Sequence, residues 1–326
     1  MKIYLLAVLI SFGLAVMSGV LTIPLLKKIK AGQTVLKYVE THKEKNGTPT
    51  MGGLFFIIPS VIVFFLLGGS GRMAGVAVSL GLAFLIVGFL DDFIKIKFKQ
   101  NEGLKPYQKI IFQLAISVLA GVFCYVNGIT VFYIPFVNKT VSLGVFSIFL
   151  VAIIFIAITN SVNLTDGLDG LSAGVCVSYI LSLIALCTVQ LSFFGRLYLK
   201  GDEYQNLNLL SCSLLGGILG FLIFNTSKAK VFMGDTGSLS LGGFLGALTV
   251  FSSNALYMPL LGICFVASSI SVIIQVLHYK RTKRRIFLMA PIHHHFQMKG
   301  YSESQISYVY SLITVIMGAI CVIFYF

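Results

Sequence analysis

Two adjacent carboxylates, Asp91 and Asp92, follow the apolar run that ends at Leu90. Neighbouring carboxylates at a membrane surface repel each other, and such a pair suits a general base or a set of magnesium ligands. Lys95 lies one helical turn beyond Asp91, so the two side chains can pair on one face. The alternative is an acidic pair that only ends a membrane span.

A second acidic motif lies between residues 160 and 171. Asn163, Asp166 and Asp169 are spaced by three residues, so that on a helix or in a tight turn they share one face. The stretch holds two carboxylates and no compensating base, which is costly near hydrocarbon unless a cation or a ligand is bound. A purely structural turn is the alternative interpretation.

Asp235 is the third acidic candidate, within the segment FMGDTGS at 232–238. Gly234 and Gly237 allow close approach of the backbone. Asp235 is placed where a helix begins, and its oxygens are suited to a hard cation such as Mg²⁺. An aspartate that only caps the helix is the simpler alternative.

Three consecutive histidines, His293, His294 and His295, follow a basic run at 280–285. Consecutive residues cannot all face one metal ion on regular structure, and the six cysteines form no C-x-x-C pair, so a zinc site is disfavoured. Donation to a phosphate or proton transfer suits these imidazoles better.

The segment 42–53 combines Lys45 with the motif TPTMGG. Proline and paired glycines let the backbone turn sharply and expose its amides where a helix begins, which beside a lysine could hold phosphate. A loop-to-helix junction with an interfacial lysine is the alternative.

The elements that must position these motifs are membrane spans. Of 326 residues, 57% are hydrophobic and only 11% are charged, whereas soluble domains carry about a quarter charged residues. Without linkers or repeats, residues 1–326 are expected to form one all-α transmembrane domain. Apolar segments that predict ten membrane helices lie at 3–26, 51–69, 73–94, 110–127, 143–160, 171–191, 207–225, 236–252, 256–278 and 305–325.

Lysine and arginine fix the expected orientation. Nineteen of the 24 lie in the loops after odd-numbered spans, so that face is predicted to be cytoplasmic and both termini extracytoplasmic. Nine of the eleven carboxylates and all five histidines fall on the same face. Because the basic residues that give the net charge of +13 cluster between apolar spans, the charge indicates a membrane partner rather than nucleic acid. On the other face, residues 131–142 hold two β-prone runs around an Asn-Lys turn, which predicts a small external hairpin.

Five motifs together resemble one family. TPTMGG, FLDD with the later Lys109, NLTDGLDGL, FMGDTGSL and APIHHHF occur in order across nearly the whole chain. In this they closely resemble the polyprenyl-phosphate N-acetylhexosamine-1-phosphate transferases, and TPTMGG and PIHHHF are similar to the phospho-N-acetylmuramoyl-pentapeptide transferase branch.

The resemblance implies a reaction and a setting. UDP-N-acetylmuramoyl-pentapeptide and undecaprenyl phosphate would give lipid I and UMP, with Mg²⁺ as cofactor. The implied fold has ten transmembrane helices, usually as a homodimer, in the bacterial cytoplasmic membrane with its active site facing the cytoplasm.

The matching motifs also imply roles. Asp235 resembles the principal magnesium ligand, and Asp91 and Asp92 the catalytic pair, which could also bind the metal. His294 and His295 join the catalytic group on the sugar or diphosphate side, and Phe232 is placed to stack on uracil. Gln297 stands where the family commonly has Glu. The substrate-binding residues implied are Lys45, Thr50, Lys95, Lys109, Asn163, Asp166, Asp169, Asn225, Phe232, Gly234, Ser238, Gln275 and His293.

Three alternatives stay open. A relative that transfers N-acetylglucosamine-1-phosphate to the same lipid would share DD and NLTDGLDG but differ at TPTMGG and PIHHHF. A secondary transporter would also have many spans, but transporter sites usually lie near the midplane, often between inverted repeats. Within the transferase interpretation, an aspartate could act as a covalent nucleophile instead of a base.

Overall fold

The computed structural model describes residues 1–28, 47–98, 103–137, 139–193 and 201–325, excepting the side chains of 191–193. These residues form helices and one small hairpin, in the order α1 (Lys2–Lys28), α2 (Gly53–Leu66), α3 (Arg72–Phe98), α4 (Pro106–Val126), β1 (Val131–Ile134), β2 (Lys139–Ser142), α5 (Ser147–Thr165), α6 (Leu171–Phe193), α7 (Gly201–Asn225), α8 (Gly234–Phe251), α9 (Met258–Leu261), α10 (Ile263–Thr282), α11 (Ile292–Met298) and α12 (Glu303–Ile323).

Eight helices are long and apolar enough to cross a membrane. A helix satisfies its own backbone hydrogen bonds, which is what a segment in lipid requires. A mostly helical membrane fold, as predicted from the apolar segments, is thereby confirmed for the described part of the chain. The eight are α1, α3, α4, α5, α6, α7, α10 and α12.

The other two predicted spans differ from simple crossings. The segment 51–69 forms α2, which has only 14 residues. The segment 236–252 forms α8, whose residues from Thr236 to Phe251 are all buried. Glycine and serine recur along α8, because it packs against other helices rather than lipid, and small residues let helix backbones approach closely.

The segment 256–278 is not one continuous helix. A 3₁₀ turn at Ala255–Tyr257 leads into the short α9, and Gly262 separates α9 from α10. Gly262 is the C-cap residue of α9 and the N-cap residue of α10. Glycine is well tolerated at such helix ends. The membrane-length helix therefore begins only at Ile263.

The predicted hairpin is present. β1 and β2 pair antiparallel, with Val131 opposite Ser142 and Ile134 opposite Lys139. The ring of Tyr133 stacks on that of Tyr325, just beyond α12, with centroids 5.3 Å apart. The hairpin thus covers the end of α12 opposite to Glu303.

α8 lies at the centre of the bundle and packs against α2, α3 and α5. Two glycines make this closeness possible. A Cβ on Gly53 would overlap the backbone of Gly237, and a Cβ on Gly88 would overlap the carbonyl of Asp235. The start of α8 is thereby held against both α2 and the acidic end of α3.

Candidate active site

Three carboxylates from two helices form the centre of the candidate site. Asp91 and Asp92 lie near the end of α3, and Asp235 is the second residue of α8. One ligand oxygen from each lies within 4.8 Å of the others. Asp91 and Asp92 are buried and Asp235 is partly buried. The acidic candidates of two separate motifs therefore meet at one point.

Two lysines hold this acidic cluster. Lys95 Nζ is 2.6 Å from Oδ2 of Asp91 and 3.1 Å from Oδ2 of Asp235, and Lys109 Nζ is 2.7 Å from the same Asp235 oxygen. The predicted pairing of Lys95 with Asp91 is thus confirmed. When all five groups are charged, three carboxylates and two ammonium groups leave one negative charge, which favours binding of a further cation.

Asp91 and Asp92 make different contacts. Oδ2 of Asp92 accepts hydrogen bonds from the backbone N–H of Thr236 at 2.9 Å and from its hydroxyl at 2.7 Å. Oδ1 of Asp91 accepts the backbone N–H of Leu104 at 2.9 Å, while its Oδ2 pairs with Lys95. Asp92 is therefore fixed to α8, and Asp91 to the segment that precedes α4.

The TPTMGG and FMGD motifs pair through their backbones. Phe232 N–H donates to Pro49, and the N–H groups of Gly52 and Gly53 donate to the carbonyls of Phe232 and Met233. Gly234 follows with a positive φ of 73°. A Cβ on Gly234 would overlap the Asp92 carboxylate and crowd the Thr50 hydroxyl.

Asn163 joins the cluster from α5. Its side-chain amide donates to Oδ1 of Asp235 at 2.7 Å and to the hydroxyl of Ser238 at 2.9 Å. Ser238 in turn donates to the carbonyl of Gly234. Asn163 and Ser238, both predicted as substrate residues, thus hold Asp235 in place.

The loop between α5 and α6 carries the other two acidic candidates. Asp169 is buried, and its Oδ2 accepts the backbone N–H of Ala229 at 2.9 Å. Asn225 accepts from Gly170 N–H and donates to the carbonyl of Val231. Asp169 and Asn225 therefore shape the backbone around the site.

Asp166 follows the last residue of α5, is partly buried, and lies close enough to the acidic cluster to interact with it electrostatically. Burial, together with the carboxylates of Asp235, Asp92 and Asp169, raises its pKa well above the usual range. A carboxyl in this setting gains from a cation or a hydrogen-bond acceptor arriving beside it.

The three histidines lie on the short helix α11 and have three different environments. His293 is fully buried, His294 Nδ1 lies 3.0 Å from Oε1 of Gln297, and His295 Nδ1 accepts the backbone N–H of Leu288. In the described part of the chain the cluster with metal-binding geometry is Asp91, Asp92 and Asp235, and the histidines do not form one.

Gln275 lies on α10 and contacts the loop that leads from α10 to α11. Its Oε1 accepts the backbone N–H groups of Ile286 and Phe287, and its Nε2 donates to the carbonyl of Phe287, all at 3.0 Å. The amide that was predicted to bind substrate therefore closes this loop.

Two residues of the site were missed by sequence reasoning. Thr236 binds Asp92, and Glu303 at the start of α12 accepts the backbone N–H of Asp169 at 2.8 Å. Thr236 could have been found from its place directly after Asp235, and Glu303 from being a lone carboxylate before the last span. Lys45 lies outside the described residues.

The cluster fits a hard divalent cation. Carboxylate oxygens, as in Asp91, Asp92 and Asp235, are the ligand type that Mg²⁺ prefers, and a magnesium ion is usually bound through one or two carboxylates and completes its shell with water or phosphate oxygens. Lys95 and Lys109 add positive charge beside it. The arrangement can hold an anionic group such as a diphosphate against a metal ion.

Comparison with known proteins places the chain in a family. The sequence model of glycosyl transferase family 4 matches residues 74–253, and signature 1 of the phospho-N-acetylmuramoyl-pentapeptide-transferases matches 45–57. These two matches cover all three aspartates and the TPTMGG segment.

Curated relatives match over nearly the full length. The phospho-N-acetylmuramoyl-pentapeptide-transferase of Clostridium botulinum (strain Alaska E43 / Type E3) is 42% identical over 95% of this chain and 93% of its own. Those of Clostridium novyi and Caldanaerobacter subterraneus subsp. tengcongensis are 41% and 39% identical, over 97% and 98% of this chain and 95% and 97% of theirs.

Proposed function

Because the chain belongs to glycosyl transferase family 4 and, within it, to the phospho-N-acetylmuramoyl-pentapeptide-transferases, we propose the reaction that follows. The enzyme transfers phospho-N-acetylmuramoyl-pentapeptide from UDP-N-acetylmuramoyl-pentapeptide to undecaprenyl phosphate, giving lipid I and UMP. The observation that carries this is the meeting of three aspartates and two lysines at one point of the bundle. Such a cluster suits the dense charge of a diphosphate.

The residues that would hold Mg²⁺ are Asp235, Asp91 and Asp92. When bound there, the metal supplies charge neutralisation for the diphosphate oxygens. Lys95 and Lys109 both reach Oδ2 of Asp235, so their ammonium groups lie within the same charge cluster and can turn to phosphate oxygens.

The transfer is a displacement at the sugar-linked phosphorus. The acidic pair, Asp91 and Asp92, takes a proton from undecaprenyl phosphate. A phosphate oxygen of the lipid then forms the new P–O bond, the bond to the bridging oxygen breaks, and UMP leaves with that electron pair. Hydrogen bonds from Thr236 and Leu104 keep the two carboxylates fixed while this occurs, which lowers the reorganisation needed in the transition state.

The nucleoside end of the donor is assigned to the FMGD segment and the α5–α6 loop. Phe232 is partly exposed and can stack on uracil. Asp166, Asp169 and Asn225 lie on the neighbouring loops. Gly234 lets the FMGD segment approach Asp92 closely, so a nucleotide bound along this segment would reach Asp235 with its phosphates.

The setting follows from charge and from the substrates. The chain is a multi-pass bacterial membrane protein, and we propose ten crossings with both termini outside, the active site facing the cytoplasm, and a homodimer as the working form. The polyprenyl acceptor needs lipid and the nucleotide donor is cytosolic, so only an enzyme at the inner face meets both. The lysine and arginine distribution gives the same orientation.

One assay tests the proposal. Purified protein with undecaprenyl phosphate and Mg²⁺ is expected to release UMP from UDP-N-acetylmuramoyl-pentapeptide and not from UDP-N-acetylglucosamine. Release from the second donor only would identify the N-acetylglucosamine-1-phosphate transferase instead. No release from either donor, with protein shown to be folded, would contradict a transferase of this kind.

A further inference from the structure

The ring nitrogens of His295 are distinguished by a backbone contact. The N–H of Leu288 donates to Nδ1 of His295 at 3.1 Å. A nitrogen that accepts carries no proton, so a neutral His295 has its proton on Nε2. His295 therefore offers a hydrogen-bond donor at Nε2.

In His294 the proton is on the other ring nitrogen, Nδ1. The contacts that determine this begin at Glu303. A carboxylate only accepts hydrogen bonds. One oxygen of Glu303, Oε2, accepts the backbone N–H of Asp169 at 2.8 Å, and the other, Oε1, lies 3.4 Å from Nε2 of Gln297. The NH₂ end of the Gln297 amide must therefore face Glu303.

The orientation of the Gln297 amide determines which ring nitrogen of His294 carries the proton. Oε1 of Gln297 lies 3.0 Å from Nδ1 of His294, and an amide oxygen accepts only. Nδ1 must carry the proton, so a neutral His294 has an unprotonated Nε2. The Gln297 side chain thus transmits to His294 an orientation that is fixed by Glu303 and the Asp169 backbone.

The Nε2 edge of His294 faces the acidic loop between α5 and α6. A Cβ placed on Gly167 would lie 2.8 Å from His294 Nε2 and 2.6 Å from His293 Nε2. Gly167 stands between Asp166 and Asp169. Among the described residues, the titratable neighbours that these contacts place near the ring are His293 on α11 and the two aspartates of the loop, and Glu303 on α12 reaches it through Gln297.

We propose that Glu303 is a positioning residue that acts through Gln297 to hold His294 as the Nδ1–H tautomer. His294 and His295 then present opposite groups at Nε2, an acceptor and a donor. The acceptor suits a substrate hydroxyl or amide N–H, and the donor suits a phosphate oxygen. The part that concerns substrate rests on the proposed transferase function, whereas the tautomers do not.

Gln297 is essential to this relay, by which we mean the hydrogen bonds from Glu303 through Gln297 to His294. An amide has one donor end and one acceptor end, so it can accept from His294 while it donates to Glu303. A carboxylate at 297 would instead place two like charges side by side and would favour a doubly protonated His294. The relay therefore depends on the glutamine at position 297.

The tautomers are measured by ¹⁵N NMR on protein with selectively labelled histidine, without substrate, and with the His294 signals assigned by loss in His294→Asn. We expect wild-type His294 to carry its proton on Nδ1 and His295 on Nε2. In Glu303→Gln, the oxygen of the new amide is expected to accept the Asp169 N–H, so its NH₂ group faces Gln297. The Gln297 amide must then rotate to present its oxygen to that NH₂ group and its own NH₂ group to His294. Nδ1 of His294 then accepts, and the His294 proton moves to Nε2. Wild-type His294 protonated on Nε2, or an unchanged tautomer in folded Glu303→Gln, would overturn the proposal.

Two further variants separate positioning from folding. Gln305→Ala removes the amide that caps the start of α12 through Ser302, so it perturbs the same turn and is expected to leave the His294 tautomer unchanged. Gln297→Glu is expected to give a doubly protonated His294 at a pH where the wild-type ring is neutral. If Glu303→Gln does not fold, Gln297→Glu decides, and a neutral His294 in that variant would refute the relay.

Activity gives a separate readout. In the UMP-release assay, Glu303→Gln is expected to lower kcat on the order of a hundredfold, as for a misplaced acid–base group, and Gln305→Ala to lower it little. If the tautomer switches but kcat does not change, the claim that substrate uses this tautomer is wrong. If the wild type itself releases no UMP, the transferase function fails while the tautomer result stands.

Discussion

The ammonium group of Lys95 lies 3.1 Å from Oδ2 of Asp235, although 140 residues separate them in the chain. The same ammonium is 2.6 Å from Asp91 and 3.9 Å from Asp92. Lys95 therefore contributes positive charge to all three carboxylates that would bind a metal ion. A divalent cation bound to these carboxylates must compete with this charge.

Lys95→Met is expected to tighten metal binding while it slows the reaction. A unit charge about 4 Å from another is worth about 4 kcal/mol at a surface-like dielectric and about 1 kcal/mol in bulk water. Removing the Lys95 charge is therefore expected to tighten metal binding by about tenfold in Kd or more, where tenfold corresponds to about 1.4 kcal/mol. Mn²⁺ binding followed by electron paramagnetic resonance measures this without turnover. The matched control is Lys97→Met on the same helix, whose ammonium lies over the rings of Phe93 and Phe98. Equal Mn²⁺ affinity in wild type and Lys95→Met would contradict the prediction.

Asn163→Ala is expected to lower kcat/KM for UMP release by roughly 10- to 100-fold. The amide donates to the Asp235 carboxylate at 2.7 Å, and a hydrogen bond to a charged group is worth about 1.5–3 kcal/mol. Asn160→Ala is the control, because Asn160 lies on the same helix and donates to Gln113 at 2.7 Å rather than to the acidic cluster. The two variants should lose similar thermal stability, and only Asn163→Ala should lose activity. Equal activities in the two would exclude a role for Asn163 at Asp235.

Gly88→Ala is expected to abolish most metal binding and activity. A Cβ at this position would overlap the Asp235 carbonyl and crowd Thr236, so α3 and α8 must separate, at a cost of about 1–3 kcal/mol. Gly75→Ala lies on the same helix with no atom within 4 Å of the added carbon, and should keep full activity with equal or higher Tm. Mn²⁺ affinity and Tm by circular dichroism are measured for both. A Gly88→Ala protein that binds Mn²⁺ as the wild type does would show that the close approach is not required.

Acidification is expected to destabilise the protein through His293. Burial, with a smaller contribution from neighbouring His294, lowers the pKa of His293 to about 3, below the usual 6.5 or so of an unfolded chain. Between these two values the unfolded state binds a proton that the folded state does not, so stability falls as pH decreases from about 6.5 towards 3 and is unaffected above 6.5. The slope contributed is at most about 1.4 kcal/mol per pH unit.

His293→Asn is therefore expected to flatten the dependence of Tm on pH between 6.5 and 4.5. His278→Asn serves as the control, because His278 is only partly buried at the end of α10, and should leave that slope unchanged. Circular dichroism at each pH gives the Tm values. Parallel curves for wild type and His293→Asn would show that His293 is not held neutral by the fold.

Sequence alone determined the membrane class, most of the spans and the identity of the acidic candidates. Long apolar runs become helices in lipid wherever they occur, so hydropathy locates them without knowledge of their neighbours. Motif spacing was also enough to single out Asp91, Asp92 and Asp235. It was less successful for α2, which is short, and for the segment broken at Gly262, because both depend on how the chain packs inside the bundle.

Only the tertiary structure decided which groups meet and what each of them contacts. Lys109 and Asn163 reach Asp235 from α4 and α5, and Gly88 lets α3 approach α8. Gln275, expected to bind substrate, has its amide engaged in closing a loop. Hydrogen bonds act over about 3 Å, and such distances between residues far apart in the chain are set by helix packing. The helices are thus determined by local hydropathy, while the chemistry of the site is determined by contacts that no local pattern records.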